Sequence, residues 1–199
     1  EDANTLQENI VRTHSVAVGE PLDREQARAV MLMTILNDGK GHSGIRIETL
    51  DLIRQMLNLD IYPWAPGEGS VGYLGVEGHL AMAYIGEGKI YDHGELRPAD
   101  EVLGKYGLTP LKLSYKEGLS MLNGTITVTA MALLALYESV ITMQNVEIAG
   151  ALCYEALRGT DKELDPRIHA AKKHDEQIAA ANNLPRMPSA GKIAEKTRA

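Results

Sequence analysis

The sequence predicts an all-α fold organised around one long helix. Three observations carry that prediction. From Thr127 to about Leu157 the chain has no proline and one internal glycine, and it contains the run MALLALYESVITMQNVEIAGALCYEAL. Upstream, apolar residues recur at three- and four-residue spacings in segments separated by proline- and glycine-bearing breaks. The strand signals reduce to a single small hairpin.

The elements follow in chain order. Residues 2 to 14 form a weakly amphipathic first helix that ends in Arg12-Thr13-His14-Ser15. After the loop Gly19-Glu20-Pro21-Leu22, Asp23 is placed to cap a helix over 24–37, with Ala27, Val30, Met31 and Ile35 on one face. Asn37-Asp38-Gly39-Lys40-Gly41 reads as a break. A helix over 48–58 follows, with Leu50, Ile53 and Leu57 on one side. Tyr62-Pro63-Trp64-Ala65-Pro66 is then extended, because a residue before proline disfavours the helical region. Ile90-Tyr91 and Glu95-Leu96 flank Asp92-His93-Gly94, which is the hairpin signal. Short helices are expected over 98–106, with proline in the first turn, and over 115–122, stopping at Asn123-Gly124. The long element would be about 45 Å at 1.5 Å per residue. Apolar residues on several of its faces require neighbours on several faces. It therefore belongs inside a large helical bundle between subunits, for which this chain alone supplies too few partners. Residues 1–182 read as the helical segment, and 183–199, rich in Pro, Ser, Gly and Lys, as a linker or tail.

Composition narrows the function. With 199 residues and 44% hydrophobic content the chain can bury a sizeable core. Twenty basic against 27 acidic residues, a net charge of −7, argues against nucleic-acid binding. No apolar run approaches the length of a membrane span and the start has no leader-like stretch, so no membrane is expected, and the single cysteine makes a reducing cytoplasm the expectation. The lone Cys153 excludes an internal disulfide and, within the apolar rod, reads as a packing residue. The first residue is Glu, which suggests a piece of a longer chain. Six histidines show no metal-ligand spacing, so no metal is expected. Ser43, in Gly41-His42-Ser43-Gly44, lacks the strand–turn–helix setting of a hydrolase serine.

One stretch stands apart. In GEGSVGYLGVEGH, residues 67–79, glycine recurs at 69, 72, 75 and 78. The pattern is neither a dinucleotide fingerprint nor a phosphate loop, and no strand is expected to lead into it. Its neighbours supply a context. Thr13-His14-Ser15 is followed by Gly19-Glu20-Pro21-Leu22, Gly41-His42-Ser43-Gly44-Ile45-Arg46, Tyr62-Pro63, Gly69-Ser70-Val71-Gly72 and Gly86-Glu87-Gly88. Lys116-Glu117-Gly118-Leu119 then leads into Leu122-Asn123-Gly124-Thr125, and Asp165-Pro166-Arg167-Ile168-His169 and Gln177 close the series. In content and order this set resembles the aromatic amino-acid lyase family, histidine ammonia-lyase above all, over about residues 4 to 182.

The resemblance implies a long-helix bundle of the fumarase and histidine ammonia-lyase type, of which this would be a partial chain in a tetramer-like core. It also implies elimination of an amine from an amino-acid-like substrate. Such lyases build an electrophile, a methylidene imidazolone, from Ala-Ser-Gly directly after Gly-Ser-Val-Gly. Here Tyr73-Leu74-Gly75 follows Gly72, and the stretch to His79 is about three residues shorter. No serine stands where dehydration would occur, so the expectation is no such group and no other cofactor. Gly69, Ser70, Gly72 and Gly75 then read as a former electrophile loop. By resemblance His14 contacts the substrate ring, and Asn123 hydrogen-bonds the substrate or electrophile region. Against these stand a helix cap and an Asn-Gly turn. Tyr73 and Glu77 are placed in the vacated pocket, where a carboxylate could hold an ammonium group or act in acid–base work, or simply face solvent. The family's base tyrosine loop and its substrate-binding arginine match nothing here, so a further lyase chain or segment is expected to supply them. Three functions remain open: an ammonia-lyase-like elimination by a multi-chain enzyme, an ergothionase-like release of trimethylamine from a betaine, and a non-catalytic scaffold subunit.

Overall fold

The computed structural model describes residues 2–69 and 71–184. The chain divides into two units, 1–134 and 135–199. In the first, the expected helices form within two residues of their expected ends: α1 (Asp2–His14), α2 (Arg24–Asp38), α3 (Ile47–Asn58), α5 (Ala99–Lys105) and α6 (Glu117–Leu122), together with α4 (Leu74–Tyr84) after the glycine stretch. Asp23 caps α2 as its residue type suggested. Its carboxylate accepts from the Gln26 amide, and the Gln26 side chain accepts from the Asp23 amide, a reciprocal pair that satisfies two otherwise orphan donors.

The extended segments are more numerous than the sequence suggested. The hairpin forms as β4 (Lys89–Asp92) and β5 (Glu95–Pro98), and β2 (Ile61–Pro63) adds antiparallel to β4 with Tyr62 opposite Tyr91. A second ladder pairs β1 (Val18–Pro21) with β3 (Pro66–Glu68). A strand thus does lead into the glycine stretch, contrary to expectation. Prolines 21 and 66 are compatible with strand ends, and backbone pairing between segments 45 residues apart leaves no local signal. The core of this unit gathers Val11, Met31, Ile53, Met56, Ile61, Ile90, Leu103, Leu113 and Leu122 around α4, whose Val76, Leu80 and Ala81 are also buried.

The long element is α7 (Ile126–Ala156), 31 residues, within one residue of its expected ends. Its buried residues are concentrated at its start, Ile126, Thr127 and Ala130; farther along, Leu136, Tyr137, Met143, Val146 and Leu152 are exposed in this chain. Cys153 is exposed too, so it is not a packing residue within this chain. A further correction concerns length: the helical stretch 117–156 is long and apolar enough to cross a membrane. Scattered Ser, Gln, Asn and Glu residues interrupt every unbroken apolar run, and that hid the stretch from the sequence reading.

In the second unit a 3₁₀ turn (Asp161–Leu164), α8 (Pro166–Lys172) and α9 (Asp175–Asn183) follow α7. His169 is buried and fully used: Nε2 meets the Glu163 carbonyl at 3.1 Å and Nδ1 meets Gln177 Nε2 at 2.9 Å. The amide donates to Nδ1, so the ring proton sits on Nε2. Of the expected tail, residues 185–199 lie outside the described residues.

Candidate active site

Three helix ends meet around the glycine stretch. β3 delivers the chain to Gly69, whose φ of 74° lies in the left-handed region. The turn continues through Gly72 at φ 59°, and then through Tyr73 at φ 66°, which caps α4 with no side-chain bond. A tyrosine in that region is strained, since its Cβ crowds the backbone. From Leu74 the backbone is helical, and the Glu77 amide donates to the Tyr73 carbonyl at 3.0 Å. The electrophile of the resembling family needs a flexible tripeptide carrying a β-hydroxyl. Residues 73–75 do not fit it: neither Tyr73 nor Leu74 has such a hydroxyl, and Leu74 and Gly75 already belong to α4. Of Ser70 nothing structural is described.

Gly78 answers why a bare backbone is needed one turn later. A Cβ built there would lie 2.9 Å from the His14 carbonyl carbon and 3.0 Å from the Ser15 amide nitrogen. Only glycine lets the first turns of α4 close on the end of α1. The same device recurs at Gly118 on α6, where a Cβ would sit 2.4 Å from the Gln7 carbonyl oxygen. Two glycines therefore set α1 against its neighbours, α4 at the His14 end and α6 near the middle of the helix at Gln7.

His14 is exposed at the last position of α1. Its Nδ1 lies 2.7 Å from the Ile10 carbonyl, a contact that requires Nδ1–H as donor and leaves Nε2 as the acceptor nitrogen of the neutral ring. Asn123 ends α6 and is also exposed; its Nδ2 donates to the Leu119 carbonyl at 3.0 Å, leaving Oδ1 available. Each residue thus spends one polar atom on its own helix end. The cap and the site role are compatible.

Glu77 is neither in a loop nor facing solvent. It is 4% exposed, and its Oε1 accepts from both the backbone amide (3.2 Å) and the hydroxyl (3.0 Å) of Thr127, at the amino end of α7. Its Oε2 is buried without a partner among the described residues. Burial pushes the carboxyl up to about 7, the two Thr127 bonds oppose that rise, and the charge of Asp38 adds to it.

Glu117 shows what a fully compensated carboxylate looks like in the same unit. It is 1% exposed, and it accepts from the Arg46 amide and guanidinium, the Thr49 hydroxyl and the Ser114 amide at 2.7–3.1 Å. Burial alone would raise it, yet these donors hold it below the usual carboxylate value. The Arg46 and Glu117 positions of the resemblance are thus an ion pair that ties the segment before α3 to α6. The sequence reading missed Asp38, placed in a break although it is 2% exposed at the end of α2, and Thr127, whose part depends on a partner 50 residues away.

Among the described residues no cluster could hold a metal ion. What the arrangement offers is a glycine turn, an exposed imidazole and amide at two helix ends, and a buried carboxyl with one free oxygen. On a long-helix scaffold, these features make up the candidate site, with polar groups presented from helix termini.

Comparison with known proteins gives the family. The family model for aromatic amino acid lyase matches residues 1–199, and the chain belongs to that family. It is 38% identical to a histidine ammonia-lyase of Symbiobacterium thermophilum over 196 residues, covering 97% of this chain and 39% of the relative. The crystal structure of histidine ammonia-lyase from Trypanosoma cruzi superposes with a TM-score of 0.89 at 36% identity, over 92% of this chain and 37% of that one. Ergothionase from Treponema denticola, an ergothioneine-degrading enzyme, superposes with a TM-score of 0.83 at 30% identity, over 92% and 37% of the two chains. The chain therefore spans less than two-fifths of the length of the relatives it matches.

Proposed function

We propose that this chain is part of a carbon–nitrogen lyase that eliminates an amine from a histidine-like or aromatic amino acid, and that it works without a methylidene imidazolone. What supports this reading is the close approach of the His14 end of α1 to α4 at Gly78, next to the buried Glu77, within a family whose similar members include histidine ammonia-lyases. In this reading His14 Nε2 and Asn123 Oδ1 contact the substrate, and Glu77, one turn below Tyr73, supplies a carboxyl close to where the amine departs. The β-proton is removed by a base, and the substrate-binding arginine completes the site. A further segment or chain provides both, as the two-fifths coverage of the relatives allows. The exposed apolar face of α7 is then covered by lyase neighbours in an oligomeric bundle rather than by lipid, and the protein works in the cytoplasm.

A second reading has its own support. Tyr73-Leu74-Gly75 cannot form the electrophile, and an ergothionase superposes on the chain. A trimethylammonium group leaves as neutral trimethylamine and needs less activation, so a betaine is the second substrate class. A scaffold subunit is the third reading, and no observation favours it over the others.

The test is turnover by the assembled protein offered histidine, aromatic amino acids and their betaines, followed by ultraviolet absorbance of the conjugated acid and by amine release. The expected result is conjugated acid with one class, reduced several-fold to a hundredfold in kcat/KM by Asn123→Ala at an unchanged Tm, the range for one lost hydrogen bond. Absence of product with every substrate would overturn the reading.

A further inference from the structure

A cavity of about 270 Å³ opens beside α4, apart from the residues assigned to the candidate active site. Its walls include Arg12 of α1, Trp64 between β2 and β3, His79 and Met82 of α4, and Glu87 and Lys89 at the start of β4. His79 is the unusual member. Its ring bonds the Ala17 backbone, while Nε2 is buried with no partner among the described residues. A buried polar nitrogen without a partner is costly, and native interiors seldom leave one so. Burial also disfavours the charged imidazole. The neutral ring therefore gives its proton to the Ala17 side and keeps Nε2 as an acceptor that lacks a donor.

The rest of the lining sets what can sit there. Trp64 stands edge-on to His79 with ring centres 5.5 Å apart, and Lys89 Nζ lies 5.6 Å from the Trp64 ring centre. Trp64 and Met82 supply apolar wall. Arg12 and Glu87 form a two-pronged ion pair, and Arg12 is bonded further to Asn9 and Glu8, so the charges of this pair offset each other. Lys89 makes no ion pair among the described residues. The cavity thus has one uncompensated positive charge, one aromatic wall and one acceptor in need of a donor. Its volume lies just below the usual range of ligand pockets, which limits an occupant to about one ring.

We propose that this cavity is a binding site for a single-ring carboxylic acid that carries a hydrogen-bond donor on its ring. The carboxylate pairs with Lys89, the ring lies against Trp64 and Met82, and the hydroxyl or N–H of the ring donates to His79 Nε2. A monoanion matches the charge of the lining, and each part of the ligand answers a different residue. The proposal does not depend on the lyase reading and is measured without turnover.

Trp64 is the single tryptophan of the chain, so it reports the cavity directly. The experiment titrates 4-hydroxybenzoate into the assembled protein labelled with 5-fluorotryptophan and follows the fluorine resonance of Trp64, assigned by its loss in Trp64→Phe. A saturable shift is expected. Benzoate, which lacks the donor, and phenol, which lacks the carboxylate, should each bind roughly two- to tenfold more weakly, the range for one lost hydrogen bond. Lys89→Ala, a change at an exposed residue, should weaken 4-hydroxybenzoate a few-fold and remove its advantage over phenol. His79→Phe should remove its advantage over benzoate; if that variant does not fold, the benzoate comparison in the parent decides the point. The proposal is overturned by the lack of a saturable shift, by equal affinity for the three probes, or by unchanged binding in Lys89→Ala. Saturable, donor-dependent binding in a protein that eliminates no amine would uphold the cavity and remove the lyase reading.

Discussion

A buried carboxyl that keeps its proton makes stability depend on pH with a definite sign. An unfolded glutamate ionises near 4.5, and the folded Glu77 near 7. Between those values the native state binds a proton that the unfolded state has released, so this contribution favours folding at low pH and is lost as pH rises through 7. The difference is roughly 3 kcal/mol at most, from about 1.4 kcal/mol per pH unit. Glu77→Gln should therefore flatten the fall in Tm between pH 5 and 8 measured on the assembled protein. An identical fall in the variant would show that Glu77 does not hold the proton. At this scale the sequence was only half legible. Glu77 could be named as a site residue because it follows the glycine stretch, but its burial could not. Its partner Thr127 lies 50 residues away, and Asp38 sits next to an Asn-Asp-Gly run with the composition of an exposed turn.

Helices were far more legible than the contacts between them. The capping aspartate, the proline-bounded breaks and the apolar spacing place most boundaries within one or two residues, because those signals are local. The β1–β3 ladder was not legible, since two short proline-bearing strands say nothing of each other. Close helix approach leaves a trace only in glycine, and its test lies at Gly78. Alanine there gains about 1 kcal/mol of helix propensity. It must also fit a methyl 2.9 Å from the His14 backbone, and overpacking of that kind costs about 1–3 kcal/mol. The clash should win, so Gly78→Ala should lower Tm. Gly104→Ala on α5, with nothing within 4 Å of its Cβ, should leave Tm unchanged or raise it. Equal effects at the two sites, read by thermal melts, would contradict the packing of α1 on α4.

For the whole molecule the strongest demand comes from α7. Beyond its first turns its large apolar side chains are exposed in this chain, and a patch of that kind marks an interface. Sedimentation of the purified chain should show an oligomer or a requirement for added lyase segments; a stable monomer with a cooperative melt would contradict the bundle assignment. The long helix was legible as an element because nothing interrupts it. What covers it was not, since a single sequence carries no record of its neighbours, and the exposure of Cys153 follows from the same gap. The family was legible in the ordered motifs, and the departure proposed for it rests on Tyr73-Leu74-Gly75 after Gly72. The central claim is that this member keeps the family's scaffold and glycine turn without the built-in electrophile. Intact-mass measurement with peptide mapping tests it most directly. The account predicts the mass of the unmodified polypeptide, and a loss of two waters mapped to residues 69–79 would contradict it.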